Sequence, residues 1–113
     1  MQLKIGEKDY TLTFGIGFLR EVDKRRSIEV QGVRMGMGLN CLIPALMGYD
    51  ILAAYDTIKA ATADLDSKPS SADIEAFLGS AKVEKLCDDF LTQLEKAPLT
   101  KRVTKAIRTQ ATE

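Results

Sequence analysis

Residues 2–14, QLKIGEKDYTLTF, decide the fold class of this 113-residue chain, because their apolar side chains recur at every second position. A polar turn that contains glycine, residues 6–9, divides the stretch into two runs. The apolar residues that alternate with polar ones are Leu3, Ile5, Tyr10, Leu12 and Phe14. This pattern predicts a β-hairpin. Because an isolated hairpin is only marginally stable in water, we expect it to pack on helices.

After the hairpin, the apolar spacing becomes helical. We predict helices over residues 15–26, 36–48, 50–63, 71–80, 82–96 and 100–108. Residues 27–36 are compatible with a short extended piece, since Ile28 and Val30 alternate with polar residues. The predicted fold is therefore α+β and mainly α, with an N-terminal β-hairpin packed on four to five helices.

Some side chains predict where helices begin and which faces are buried. Asp50 is expected to cap its helix, and Ser70 or Ser71 the next one. Pro44 should kink the preceding helix or start a new turn. In the first helix the apolar face contains Ile16, Leu19 and Val22. The face expected after Asp50 is Ile51, Leu52, Tyr55 and Ile58. The clearest amphipathic stripe is Val83, Leu86, Cys87, Phe90, Leu91 and Leu94.

The composition excludes several classes of function. The 16 basic and 16 acidic residues balance, whereas a DNA-binding domain usually carries a basic excess. The chain has no histidine and no CxxC spacing, so we expect no catalysis, metal ion or cofactor. Cys41 and Cys87 are expected to be buried, reduced thiols, and a bridge between them stays open. With no signal-peptide pattern and no run near the roughly 20 apolar residues of a membrane span, we expect an intracellular protein without membrane contact.

Charge is nevertheless distributed unevenly. Residues 50–95 hold ten acidic and four basic side chains, a net charge of −6, whereas residues 96–108 hold five basic side chains and no acid. The basic run allows two interpretations. It forms either a contact for phosphate or a solvated C-terminal helical turn that the helix dipole favours, and we prefer the second.

The segment from Met35 to Met47 is the candidate binding site. It contains three methionines, whose flexible side chains suit surfaces that accept varied partners. Glycines at positions 36 and 38 would let another backbone come close. A plain core helix is an equally good interpretation. The candidate partner-binding residues are Met35, Met37, Leu39, Leu42, Ile43 and Met47.

Several stretches resemble one known family. Residues 1–10 (MQLKIGEKDY) and 14–23 (FGIGFLREVD) are similar to the opening of the tail assembly chaperones of long-tailed phages, of the type found in phages and prophages of Gram-positive bacteria. The start of the apolar helix at residues 36–39 (GMGL) and the acidic helical region of residues 73–90 also fit. The resemblance covers about residues 1–96.

The resemblance implies a function and partners. Such chaperones bind the tape measure protein, keep it soluble and help to recruit the tail tube protein around it. They act in the host cytoplasm, are absent from the mature virion and are not enzymes. Many of their genes also encode a longer, frameshifted product, which stays open here. We expect a chaperone-like domain over residues 1–97, a basic, partly flexible tail over residues 98–113, and a homo-oligomer. The alternative function is a small nucleic-acid-binding regulator that uses the basic tail.

Overall fold

The computed structural model describes the backbone of residues 1–26, 28–30, 33–35 and 37–111, and the side chains of residues 1–26 and 37–110. The strands are β1 (Gln2–Ile5), β2 (Lys8–Thr11), β3 (Ile28–Val30) and β4 (Val33–Met35). The helices are α1 (Ile16–Arg25), α2 (Gly38–Met47), α3 (Ile51–Ala61), α4 (Ser71–Ser80), α5 (Val83–Lys96) and α6 (Lys101–Ala111). The fold is α+β and mainly α, which confirms the prediction. None of the helices in these ranges is long and apolar enough to cross a membrane.

The N-terminal hairpin has a tighter turn than the sequence predicted. Ile5 pairs with Lys8, so the loop has two residues instead of the expected four. Gly6 occupies the first loop position at φ +66°, a conformation that glycine adopts without steric cost. Strand β2 therefore starts earlier and ends before Phe14. A second antiparallel pair, β3 with β4, occupies the stretch that was compatible with an extended piece.

The hairpin packs on the helices through one face. Ile5, Tyr10 and Leu12 are buried, and β1 lies against α4. The chain that follows β2 is held at the end of α3, because the N–H group of Thr13 donates a 3.0 Å hydrogen bond to the carbonyl of Ala61. This packing supplies the stability that an isolated hairpin lacks.

Helix α2 lies at the centre of the helical part and packs against α1, α3, α5 and α6. It touches α1 at Gly38, where a Cβ atom would lie 2.6 Å from the carbonyl oxygen of Val22. The N–H group of Gly38 also donates a 2.9 Å hydrogen bond to the carboxylate of Asp23. The backbone that approaches this glycine therefore belongs to the same chain. Gly36 lies outside the described residues.

Pro44 lies inside α2 and does not begin a new turn, contrary to one of the two outcomes expected for it. Pro44 and Asn40 are both exposed. Because proline has no N–H group, Pro44 cannot donate the helical hydrogen bond to the carbonyl group of Asn40. That carbonyl group lies on the solvent-facing side of the helix.

The predicted buried face of α3 is wrong at its start. Leu52 is 65% exposed and Ile51 is 48% exposed. Ile16, predicted for the apolar face of α1, is also exposed. Helix α3 instead buries mainly small side chains, and it packs against α1, α2, α4 and α5. The buried residues of α3 are Ala53, Ala54, Thr57, Ile58, Ala60 and Ala61.

The last three helices follow the sequence closely. Ser70 caps α4 by accepting a 3.1 Å hydrogen bond from the N–H group of Asp73. The α5 stripe is buried as predicted, apart from the half-buried Val83. Helix α6 packs on α2 and α5, and the Thr100 hydroxyl donates a 2.6 Å hydrogen bond to the carbonyl of Leu94. Where the chaperone-like domain ends stays a prediction.

Candidate functional site

The structure divides the six predicted partner-binding residues into two groups. Leu39, Leu42 and Ile43 are buried in the core, so in this conformation they are closed to a partner. Met37 is 41% exposed, and Met47 is half-buried. The side chain of Met35 lies outside the described residues. The interpretation of this segment as a core helix therefore holds for Leu39, Leu42 and Ile43, whereas Met37 and Met47 remain accessible.

The accessible residues belong to one side of α2, which we name the outer face of α2. They follow helical spacing, and three of them were not among the predicted partner-binding residues. The full set is Met37, Asn40, Cys41, Pro44 and Met47. Helix α2 contains no charged residue, although 28% of the chain is charged. The outer face is therefore an exposed helical surface of low polarity, whose opposite side is fixed in the core. Counting at helical spacing from Met37 would have identified the outer face of α2 from the sequence alone.

The two cysteines are free and differ in exposure, so the expectation that both are buried is wrong for Cys41. Cys41 is partly exposed on the outer face of α2, whereas Cys87 is fully buried. Burial raises the pKa of the Cys87 thiol to about 11, and the nearby carboxylates of Asp88, Asp50 and Glu84 add to the shift. Cys87 is therefore a neutral thiol near neutral pH.

A shallow apolar groove runs between α3 and α4. Its volume is about 360 Å³, and its walls are almost entirely apolar. We name it the α3–α4 groove; its lining residues are Ile51, Leu52, Tyr55, Glu75, Leu78 and Gly79. Sequence reasoning missed this surface because it assigned Ile51 and Leu52 to the core.

The connection that leads into the groove holds an unusual residue. Tyr49 is exposed and has φ +58°, the only positive φ among the non-glycine residues that the structure describes. The N–H groups of Tyr49 and Asp50 donate 3.0 Å hydrogen bonds to the carbonyls of Leu46 and Ala45. This is the helix ending in which glycine normally takes the left-handed position. Asp50 then caps α3 by accepting from the N–H group of Leu52 at 2.9 Å, as predicted.

Acidic side chains surround this end of the molecule. The carboxylates of Asp88 and Glu84, in the first half of α5, raise the pKa of the Tyr49 hydroxyl. Asp50 precedes the groove residue Ile51, and Glu75 lines the groove itself. The groove is therefore apolar apart from the carboxylate of Glu75.

A basic surface lies at the start of α6, and we name it the α6 basic face. Pro98, Lys101, Arg102 and Lys105 line a concavity of about 450 Å³, and Leu99 beside them is exposed. Within the described part of the chain, the three cations of this face form no ion pair. Arg108 instead pairs with Glu95 at 3.3 Å.

The position of these cations corrects a preference stated above. Lys101 and Arg102 lie in the first turn of α6, where the helix dipole disfavours positive charge. The dipole argument for a basic C-terminal turn therefore holds only for Arg108, which lies in the last turn.

Groups of metal-binding side chains are absent from the described ranges, where no three or more Cys, Asp or Glu residues come together as ligands. The chain matches no curated protein and no solved structure. It does match a family model, that of the phage tail assembly chaperone protein, TAC, over residues 2–108. The match spans nearly the whole chain and includes most of α6. The chain therefore belongs to the phage tail assembly chaperone (TAC) family.

Proposed function

We propose that this chaperone binds the tape measure protein during tail assembly, keeps it soluble and helps the tail tube protein to assemble around it. It does so without catalysis, in the host cytoplasm, and it is absent from the mature virion. Membership of the tail assembly chaperone family supports this function. The outer face of α2 is the observation that supports a contact site.

The outer face of α2 suits a long amphipathic partner for two reasons. Methionine side chains adapt to differing apolar surfaces, and Met37 and Met47 lie at the two ends of this face. The absence of charge means that a partner helix meets no buried, unpaired ion when it docks. Because Leu42, Ile43 and Leu46 fix the opposite side of α2 in the core, the face is presented without rearrangement.

The test is co-expression with the tape measure protein of the same phage, followed by affinity purification of the chaperone. Met37→Glu places a charge on the outer face and should lower the retained tape measure protein by roughly tenfold, about 1.4 kcal/mol of binding. Ile16→Glu is the matched control, because Ile16 is an exposed apolar residue on α1.

Both variants must keep the wild-type unfolding temperature for the comparison to count. Equal retention by wild type and Met37→Glu overturns the contact site. Failure of the wild-type chaperone to retain any tape measure protein overturns the function itself.

A further inference from the structure

The α3–α4 groove has walls that are fixed by contacts within the chain. The Tyr55 hydroxyl donates a 3.0 Å hydrogen bond to the Ser71 hydroxyl, which joins α3 to the start of α4. The caps formed by Asp50 and Ser70 hold the first turns of both helices. Leu78 is buried and attaches α4 to the core. The groove is therefore formed before a partner arrives, which lowers the entropic cost of binding.

The α3 wall of the groove concentrates exposed apolar surface. Six large apolar side chains are exposed in the described part of the chain, and three of them lie within residues 49–52. Two of these, Ile51 and Leu52, line the groove. Covering them would remove apolar surface from water, which favours docking.

The α4 wall contains a glycine that no contact within the chain requires. A Cβ atom on Gly79 would meet nothing within 4 Å, and its φ is not left-handed. Alanine would stabilise the helix at this position. What glycine provides there is an exposed stretch of backbone that another chain can approach closely.

Glu75 is the one charged residue among those that line the groove. It is exposed, lies one helical turn before Gly79, and forms no ion pair or hydrogen bond within the described part of the chain. A positive charge on an occupant would pair with this carboxylate, whereas a purely apolar occupant would leave it unpaired.

The groove also lies close to the outer face of α2. Ile51 follows Met47 by four residues, which span at most about 14 Å even when fully extended. The exposed side chain of Tyr49 lies between them in the chain. One partner can therefore occupy both surfaces, and two linked contacts bind more tightly than either alone.

We propose that the α3–α4 groove receives an amphipathic helix of the tape measure protein, in which a Lys or Arg flanks the apolar stripe. Its apolar side chains pack on Ile51 and Leu52, its backbone passes over Gly79, and its cation pairs with Glu75. This inference rests on the proposed function. It adds a second contact, and this contact selects which stretches of the tape measure protein are bound.

The test uses labelled segments of the tape measure protein of the same phage, each of about 20 residues, or about 30 Å as a helix. Fluorescence anisotropy measures their binding to the full chain. Leu52→Glu, which places a charge in the groove, and Gly79→Leu, which fills it, should each weaken the bound segments by roughly tenfold. Ile16→Glu, outside the groove, and Gly79→Ala, which adds only a Cβ atom, are the matched controls and should bind like wild type.

A charge exchange tests the role of Glu75. Glu75→Lys should weaken a segment that carries Lys or Arg by roughly tenfold. The same segment with that Lys or Arg changed to Glu should regain binding to Glu75→Lys and lose binding to wild type. A merely structural role of Glu75 would give no such recovery, and the exchange decides the question even if a groove variant fails to fold.

The outcomes separate this inference from the proposed function. Groove variants that bind every segment like wild type overturn the inference, and the proposed function stands if wild type still retains the intact tape measure protein. Segments that respond to Met37→Glu alone also overturn it, because the outer face of α2 is then the contact. A Glu75→Lys variant without effect overturns the assigned recognition of a cation. Failure of wild type to retain the intact tape measure protein overturns the proposed function and this inference with it.

Discussion

Gly38 is the residue on which the contact between α1 and α2 depends. A Cβ atom there would lie 2.6 Å from a carbonyl oxygen of α1, and neither backbone has room to move without separating the helices. We expect Gly38→Ala to lower the free energy of unfolding by about 1–3 kcal/mol. Urea denaturation measures this change.

Gly79 provides the matched control, because it also lies in a helix but a Cβ atom there meets nothing within 4 Å. Gly79→Ala should raise the free energy of unfolding by about 0.5–1 kcal/mol, since alanine favours the helix. Equal effects at the two positions would show that α1 and α2 do not touch at Gly38.

The backbone conformation of Tyr49 is expected to lower the free energy of unfolding of the chain. Its left-handed backbone suits glycine, whereas alanine retains the steric conflict and loses the aromatic side chain. Tyr49→Gly should therefore be more stable than Tyr49→Ala by about 1 kcal/mol in thermal or urea unfolding. An alanine variant as stable as the glycine variant would contradict the assigned backbone conformation.

The two thiols should differ sharply in reactivity. Cys41 is partly exposed, while Cys87 is buried and its pKa is raised to about 11. At mildly alkaline pH we expect an alkylating reagent to label Cys41 quickly, and Cys87 only when the chain unfolds. Because the raised pKa disfavours the thiolate in the folded state, the contribution of Cys87 to stability should fall as pH rises towards 11. Mass spectrometry of the labelled peptides follows both rates, and equal rates would contradict the burial of Cys87.

At the scale of elements, helix α6 starts with the wrong charge for its own stability. Lys101 lies in the first turn, and Lys105 lies one turn later. Lys101→Glu should raise the free energy of unfolding by about 0.3–1 kcal/mol, because it reverses an unfavourable interaction with the helix dipole. Lys105→Glu changes the same charge outside that turn and should have a smaller effect. Equal changes in the free energy of unfolding would show that the dipole does not matter here.

The helices also show how far patterns along the chain predict packing. The caps formed by Asp50 and Ser70 were predicted correctly, because each bond joins residues two or three positions apart. The α5 stripe was predicted correctly because the large apolar residues of α5 form one face, and that face is either buried or left exposed to water. Helix α3 was predicted correctly at Ile58 but incorrectly at Ile51 and Leu52, since it offers both alanines and large apolar residues, and the helices packed against it decide which side is buried.

At the scale of the whole molecule, α6, which lies in the stretch expected to be a basic, partly flexible tail, packs on α2 and α5. Thr104 is buried, and Val103 and Ile107 pack against the core. Removing residues 98–113 should therefore lower the free energy of unfolding by at least roughly 2 kcal/mol, since it uncovers apolar surface of α2 and α5.

Removing only residues 112–113 is the control and should leave urea denaturation unchanged. A chain of residues 1–97 as stable as the full chain would instead support the division into a domain and a tail.

The amino-acid sequence by itself determined the N-terminal hairpin, the order of the helices and the caps of α3 and α4. Each of these follows from periodicity or from hydrogen bonds between near neighbours, which are properties of a short stretch of chain. It also identified Met37 and Met47 as candidate contact residues, and their role stays a prediction.

Only the tertiary structure decided which apolar residues are core and which are surface. It placed Leu39, Leu42 and Ile43 inside, left Ile51 and Leu52 outside, and brought α4 beside them to form a groove. Periodicity shows that a face can be buried, but not which neighbouring element covers it. Close packing selects that neighbour by shape, and here α3 buried mainly small side chains and left Ile51 and Leu52 at the surface.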